Sequence, residues 1–399
     1  MYPANNGDAF LIVTELPQPL AILVDGGYGS TFNDYISPDL KIFAEQGYCL
    51  DLVVATHIDA DHISGLLEFF KQNGNSSSTK IIPIKDVWHN SVRSLDFSSA
   101  YNADTKPDDL DLLTEIKRRG FAKPTGSEDD PEEISAKQGS SLAALLLGGN
   151  YRWNMGKGLK SINCGGTSAL KFGDDMQLQV IAPQIRRLQQ LKTWWIRELK
   201  RFGFTGTPGV GGIFDDAFEF LCSYKNLQAA TSPAPTQISS STDSSLKNIY
   251  QPDTSVTNSS SIAFIAKIGP ARILFLGDAW AEDIELYLKS LSNTAGSAFI
   301  FDAIKVSHHG SLRNTSPALL ELIDARVFLI SSDGKRHSHP DFAVLKAIVD
   351  RPCKFKRNIY FNYTTPASRL LRNYKSKSGA NFEIYENSNS WINLNPESL

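Results

Sequence analysis

Cysteine is scarce in this chain of 399 residues: Cys49, Cys164, Cys222 and Cys353 lie far apart and form no Cys-x-x-Cys pair. That spacing offers neither a disulfide framework nor a zinc-finger clamp, and reads as reduced, mostly buried thiols of a cytoplasmic protein. Long apolar runs are missing too. No stretch approaches the roughly 18 residues a membrane span needs, and no basic region precedes an apolar one at the N-terminus. Neither a span nor a signal peptide is therefore expected. A strong charge imbalance is also lacking. The net charge of −3 argues against wholesale coating of nucleic acid, although a local basic patch would suffice. With 41% hydrophobic and 21% charged residues, the chain has ample material for a large core in one or two domains.

Histidine is the informative scarcity. Of the 7 in the chain, only His89 lies outside three clusters, each of which follows an apolar, strand-like run. The densest is Thr56-His57-Ile58-Asp59-Ala60-Asp61-His62, directly after Leu52-Val53-Val54-Ala55 and followed by Ile63-Ser64-Gly65. His308 and His309 follow Phe299 to Val306, and His337 and His339 follow Val327 to Ile330. A lone carboxylate, Asp278, ends the run Ile273-Leu274-Phe275-Leu276-Gly277. A strand end is a rigid platform, and burying several such groups unpaired would cost several kcal/mol each, roughly. A bound cation is the economical explanation, against the alternative of a surface acid cluster with incidental histidines. His57 and Asp59 are two apart and Asp61 and His62 adjacent, so the two pairs can face two different metal ions.

These motifs resemble the metallo-β-lactamase fold superfamily. The family's first metal motif is usually His-x-His-x-Asp-His, and here Asp59 replaces the second histidine. That variant, with Gly277-Asp278, Ser307-His308-His309-Gly310-Ser311 and His337-Ser338-His339-Pro340, is similar to the branch containing the hydrolase domain of the competence protein ComEC. Asn5-Gly7-Asp8 and Leu23-Val24-Asp25-Gly26-Gly27 match that branch's opening strands. The resemblance implies an α/β fold, an αββα four-layer sandwich with the metals along one edge of two facing sheets and helical insertions. It also implies roles. His57 and Asp59 would hold the first metal, Asp61 and His62 the second, Asp278 would bridge, and His339 would complete the second site. Asp25 would support the metal loop without ligating. His308 or His309 would serve as a ligand or as a donor to developing charge, which with Asp61 makes three candidate catalytic residues. His337 reads equally as a solvated loop residue beside the true ligand.

The chain departs from the pattern at two points. The family's third metal motif is a histidine after a strand, and the corresponding run Leu178-Gln179-Val180-Ile181 ends in Ala182-Pro183. His89 is a candidate substitute, or a strand-end histidine bonding backbone. Asp59 in place of imidazole makes the site harder, moving preference from zinc toward manganese or magnesium.

Residues 1–350 are expected to form the hydrolase domain, with insertions at about 92–160 and 184–260, and 351–399 to add strands to it. Strands are expected at Phe10–Thr14, Ala21–Asp25, Leu52–Ala55, Ile81–Val87, Ser168–Phe172 and Met176–Ile181, with a helix from about Ile63 to Lys71. The first insertion carries helical patterns near Leu110–Arg119 and Ser135–Leu147, with an acidic helix start at Glu128–Glu133. The Ser/Thr/Pro-rich part of the second, 228–260, has too little apolar content for a core and reads as a flexible loop. Its earlier part, 184–225, reads as helical and is basic. Arg186, Arg187, Lys192, Arg197, Lys200 and Arg201, interleaved with Trp194 and Trp195, are candidate nucleic-acid contacts. The alternative is an amphipathic helix with Leu188, Leu191, Trp195 and Leu199 inward.

Two cations roughly 3.5–4 Å apart can share a hydroxide and clamp the oxygens of a reacting group. Two divalent ions, manganese or zinc with magnesium a third option, are thus the implied cofactors. The leading expectation is a phosphodiesterase or nuclease acting on nucleic acid or a nucleotide phosphodiester, since hard cations suit phosphoryl oxygens. Hydrolysis of a lactam, lactone, thioester or cyclic nucleotide is the second reading. The third is a metal-binding, non-catalytic subunit of a larger system, a reading kept open by the missing third motif; the resemblance, whose relatives include predicted hydrolases encoded beside bacterial defence genes, makes a protein partner conceivable. No membrane partner is expected.

Overall fold

The computed structural model describes residues 1–14, 19–95, 105–118, 140–166, 169–172, 176–209, 211–231, 245–291, 298–388 and 390–394. In the first sheet β1 (Phe10–Val13) runs antiparallel to β2 (Ala21–Val24), and β3 (Leu52–Val54) lies parallel to β2. After a small hairpin of β4 (Gly74–Asn75) and β5 (Ser78–Thr79), β6 (Val87–Trp88) completes the order β1-β2-β3-β6. The second sheet begins with β7 (Leu170–Phe172), β8 (Met176–Ala182), β9 (Ala263–Ile268) and β10 (Ala271–Phe275), each antiparallel to the next. It continues in parallel through β11 (Phe299–Lys305), β12 (Ile323–Ile330), β13 (Arg357–Phe361) and β14 (Phe382–Tyr385).

The period of two along each strand builds the layers. Ile22, Val24, Leu52 and Val54 face Leu178, Val180, Phe264, Ile273, Phe275 and Leu329 across the space between the sheets. The alternate residues Ala21, Leu23 and Val53 pack outward on the helices Ala60–Asn73, Ile185–Arg201 and Gly212–Thr231. On the far side Leu274, Ile304 and Phe328 pack on the helices Ala281–Leu291 and Phe342–Val349. The result is the four-layer α/β sandwich that the resemblance implies. Each fully buried Leu, Ile or Phe stabilises by about 1.5–3 kcal/mol, so the strand ends that carry the polar loops are held stiffly.

Several elements differ from the sequence reading. The helix after β3 starts at Ala60, not near Ile63, which puts Asp61 and His62 in its first turn. The run Ile81–Val87 shortens to β6, with Ile84 making only an isolated bridge to Leu50. The first insertion forms helices at Pro107–Arg118 and Leu142–Gly148, while Glu128–Glu133 and residues 135–139 lie outside the described residues. So does Ser168, and of 228–260 so do residues 232–244. The remainder of that segment is built in: Leu246–Ile249 is helical, and Asp253 and Thr257 to Ser261 are buried. Residues 357–361 and 382–385 extend the second sheet as β13 and β14.

Candidate metal centre

Parallel strands deliver their C-terminal ends to one edge. There β2 ends in Asp25, β3 in Thr56 to Asp59, β10 in Gly277-Asp278, β11 in Ser307 to His309 and β12 in Ser331. β1 runs the other way, so Asp8, two residues before it, arrives at the same edge. Close backbone contacts fix the loops. A Cβ on Gly7 would stand 2.0 Å from the Asp61 carbonyl oxygen, and one on Gly65 2.0 Å from that of Gly26. Any larger residue at either position would push the helix carrying Asp61 and His62 off its seat. His308 (φ 45°) and His309 (φ 55°) are both left-handed, a conformation costing roughly 1–2 kcal/mol per residue outside glycine.

Each of four histidines uses Nδ1 to bind protein and turns Nε2 to a common point. His62 Nδ1 donates to Asp25 Oδ2 at 2.8 Å. Asp25 also accepts from the Thr56 amide at 2.8 Å and the Thr56 hydroxyl at 2.7 Å, and that hydroxyl oxygen lies 3.1 Å from His57 Nδ1. His309 Nδ1 donates to the Ser331 carbonyl at 2.8 Å, and His308 Nδ1 to Asn314 Oδ1 at 2.7 Å. Such bonds fix ring orientation and tautomer and leave the Nε2 lone pair for a cation.

The common point is one oxygen of Asp278. Its Oδ2 lies 3.6 Å from His62 Nε2, 3.7 Å from His57 and His308 Nε2, and 3.9 Å from His309 Nε2. These separations exceed a hydrogen bond, yet donors sharing one cation at bonds near 2 Å stand about 3–4 Å apart. Asp59 Oδ2 adds to this group 3.5 Å from His57 Nε2, and Asp61 Oδ2 3.8 Å from His309 Nε2. Among the described residues, the Nε2 atoms of His57, His62 and His309 are buried with no hydrogen-bond partner. Each such atom costs roughly 1–3 kcal/mol, so the donor set fits divalent cations. Three groups of potential ligands result, His57-His62-Asp278, Asp61-His62-His309 and Asp8-Asp25-His62.

The electrostatics agree. Burial alone would raise Asp278, but His308, His62 and His309 hold its carboxyl well below the usual range. Burial would likewise raise Asp61, while His62 and His309 hold it down. Burial would lower His62 and His308. Asp278 and Asp25 lift the first well above its ordinary value, and Asp278 and Asp253 lift the second. Positive charge is what this cluster draws in.

Of the residues singled out in the sequence, His57, Asp59, Asp61, His62, Asp278, His308 and His309 are brought together here. His339 is not brought into these groups. Its Nδ1 lies 3.4 Å from Asp341 Oδ2, and its ring stands 5.3 Å from that of His308. His337 is exposed on the same loop, its ring 5.9 Å from that of His339. His89 is committed elsewhere, with Nε2 2.8 Å from Glu219 Oε1 and its ring stacked on Trp153, all within the helical layer.

The basic helix is amphipathic, with Leu188, Leu191, Trp195 and Leu199 buried. Trp195 is fully buried against Phe218, so it presents no face to a base. Arg187 forks onto Asp283 at 2.6 and 3.1 Å and covers the Trp280 ring, and Arg186 reaches Asp283 at 2.9 Å. Both therefore brace the loop after Asp278. Lys192 is half-buried, whereas Arg197, Lys200 and Arg201 lie on the exposed face.

The sequence reading missed two participants. Lys305, 1% exposed, contacts Asp8 Oδ2 and donates to the Gly277 carbonyl at 3.0 Å. It was hidden inside a run taken as apolar, although its inward parity after Ala303 is a readable signal. Asn314, in turn, donates to Asp253 Oδ2 at 2.9 Å and to the Asp278 carbonyl at 3.1 Å while accepting from His308.

Residues 4–113 match the family model of the metallo-beta-lactamase superfamily. The match contains Asp8, Asp25, His57, Asp59, Asp61 and His62, while Asp278, His308 and His309 come from beyond it. No curated protein matches the chain. Among the described residues no helix is long and apolar enough to cross a membrane.

Proposed function

We propose that this chain is a metal-dependent hydrolase whose substrates are phosphodiesters, a phosphodiesterase or nuclease. The observation that carries the reading is the convergence of four imidazole Nε2 atoms on Asp278 Oδ2, at 3.6–3.9 Å. In this reading His57 and Asp59 hold one divalent cation and Asp61, His62 and His309 the other, with Asp278 shared. Bound there, the two cations would supply Lewis acidity and lower the pKa of water near the substrate. Asp25 and Ser331 orient the imidazoles. Asn6 donates to Asp61 Oδ2 at 2.8 Å and fixes that carboxylate.

His308 is the most open of the four imidazoles, at 23% side-chain exposure, and is the group suited to give a proton to the leaving oxygen. His339, beside it, takes a place at the mouth. Because of Asp59 the first motif carries two carboxylates and two histidines, where the common motif has one and three, which favours manganese over zinc and suits hard phosphoryl oxygens. The solvated Arg197, Lys200 and Arg201 are the remaining candidates for tracking a nucleic-acid backbone.

The test is a substrate panel with the manganese- and zinc-loaded chain: single- and double-stranded DNA, RNA, cyclic nucleotides, a chromogenic phosphodiester and a chromogenic lactam. Metal-dependent cleavage of a phosphodiester is the expected result. Opening of the lactam alone would make the chain a small-molecule hydrolase. Metal binding with no turnover would favour a non-catalytic subunit, a reading kept in view by the absence of histidine at Ala182-Pro183.

A further inference from the structure

Lys305 is an anomaly by any burial rule: an ammonium, 1% exposed, at the end of an apolar strand. Its placement is determined by register. In β11 it pairs with Phe275 of β10 and Leu329 of β12, both of which face the space between the sheets. The side chain is therefore directed into that space at the edge where the polar loops gather. It contacts Asp8 Oδ2, donates to the Gly277 carbonyl at 3.0 Å, and stands 3.7 Å from Asp278 Oδ1.

A lone buried ammonium would be expelled or neutralised, so these partners are what keep it charged. The two oxygens of Asp278 are thereby divided. Oδ1 is turned to the ammonium and Oδ2 to the four imidazoles.

We infer that Lys305 is a positioning residue of the metal centre, a fixed internal cation that holds Asp278 so that a single oxygen, Oδ2, is shared between the two metal ions. Charge supports this. With neutral imidazoles, the carboxylates Asp8, Asp25, Asp59, Asp61 and Asp278 less one ammonium leave the charge that two divalent cations cancel. Asp8 acts as the anchor of Lys305, not as a third metal's ligand, although it shares a cluster with Asp25 and His62.

The inference rests on the two-cation reading, and the experiment separates the two. Manganese is titrated into the wild-type chain, the Lys305→Met variant, and a double variant Lys305→Met with Asp8→Asn. Calorimetry gives stoichiometry and affinity, and electron paramagnetic resonance tells a spin-coupled pair from isolated ions. Removing the ammonium alone leaves two buried carboxylates facing one another and can cost the fold. The double variant removes the buried pair together, a change folds often tolerate. Wild type should take up two ions with a coupled signature. The double variant should keep a native circular dichroism spectrum, bind one of them at least tenfold more weakly and lose the coupling, and so should the single variant where it folds. Two coupled ions at wild-type affinity in the folded double variant would overturn the role of Lys305 and leave the centre standing. So would tighter binding, which would make the ammonium a mere competitor of metal. A wild-type chain that takes up fewer than two ions would overturn the two-cation reading and the inference with it.

Discussion

His62 donates through Nδ1 to Asp25 Oδ2 at 2.8 Å, and this one bond decides which nitrogen of His62 a cation can meet. Asp25 also fixes the Thr56 amide and hydroxyl, so it sets the tautomer of His62 and the path of the loop bearing His57. Asp25→Ala should weaken manganese binding by about 10–100-fold although Asp25 itself is not proposed to ligate. Isothermal titration would show it. Unchanged affinity would mean the orientation of His62 is set elsewhere.

Asp278→Asn and Asp61→Asn keep shape but remove the charge that holds the ions. Each should lower metal-dependent turnover of a chromogenic phosphodiester by at least about a hundredfold. His308→Gln should act differently, leaving metal stoichiometry intact while turnover falls, most for substrates with poor leaving groups. A loss independent of leaving group would remove the proton-donor role.

Asp59→His restores the common first motif and should raise zinc affinity relative to manganese. Competition between the two ions, read by mass spectrometry of the native protein, measures this ratio. Better turnover with zinc than with manganese in the native chain would contradict the argument from Asp59.

Metal binding should weaken as pH falls, and over a range reaching above an ordinary histidine. His62 is raised in the metal-free protein, so a proton must leave it before its Nε2 can ligate. Stability of the metal-free chain should run the other way on the alkaline side. A raised histidine stabilises fully below its unfolded value of about 6.5, and that contribution is lost as pH rises through the higher folded value. The depressed Asp278 stabilises above about 3.9 and its contribution is lost on acidification through the lower folded value. Urea denaturation of chelator-treated protein should therefore show a maximum in mild acid. The metal-loaded protein should instead gain stability from that pH upward.

The basic helix divides into two functions. Arg187→Ala leaves Asp283, 1% exposed, without its forked partner and should cost roughly 3 kcal/mol of stability, with loss of metal binding through the Trp280 loop. Substituting Arg197, Lys200 and Arg201 together by Ala should leave small-diester cleavage unchanged, at a cost in stability because buried Glu198 loses Arg201 at 2.9 Å and Arg197 at 3.7 Å. It should flatten the salt dependence of single-stranded DNA affinity by up to roughly two in logarithmic slope. No change in that slope would remove this face from the substrate path.

The sandwich and most of the cluster were legible because parallel strands bring their ends to one edge, so a motif after each apolar run has only one place to go. The relative roles of His309 and His339 were not. Two consecutive left-handed residues at His308 and His309 turn the loop in a way no periodicity encodes, and they bring His309 beside Asp61. His89 could not be read without Glu219, 130 residues away, and Arg187 could not without Asp283. The serine-rich stretch before β9 looked incapable of order because its stability comes from polar bonds, Asp253 to Asn258 at 2.8 Å and to Asn314 at 2.9 Å, not from apolar area.

The central claim is that Asp278 is shared by two cations, and anomalous diffraction from manganese-loaded crystals tests it most directly. Two anomalous peaks about 3.5–4 Å apart are expected, both within bonding distance of Asp278 Oδ2, one beside His57 and Asp59 and the other beside Asp61 and His309. A single peak, or peaks away from Asp278, would contradict the account.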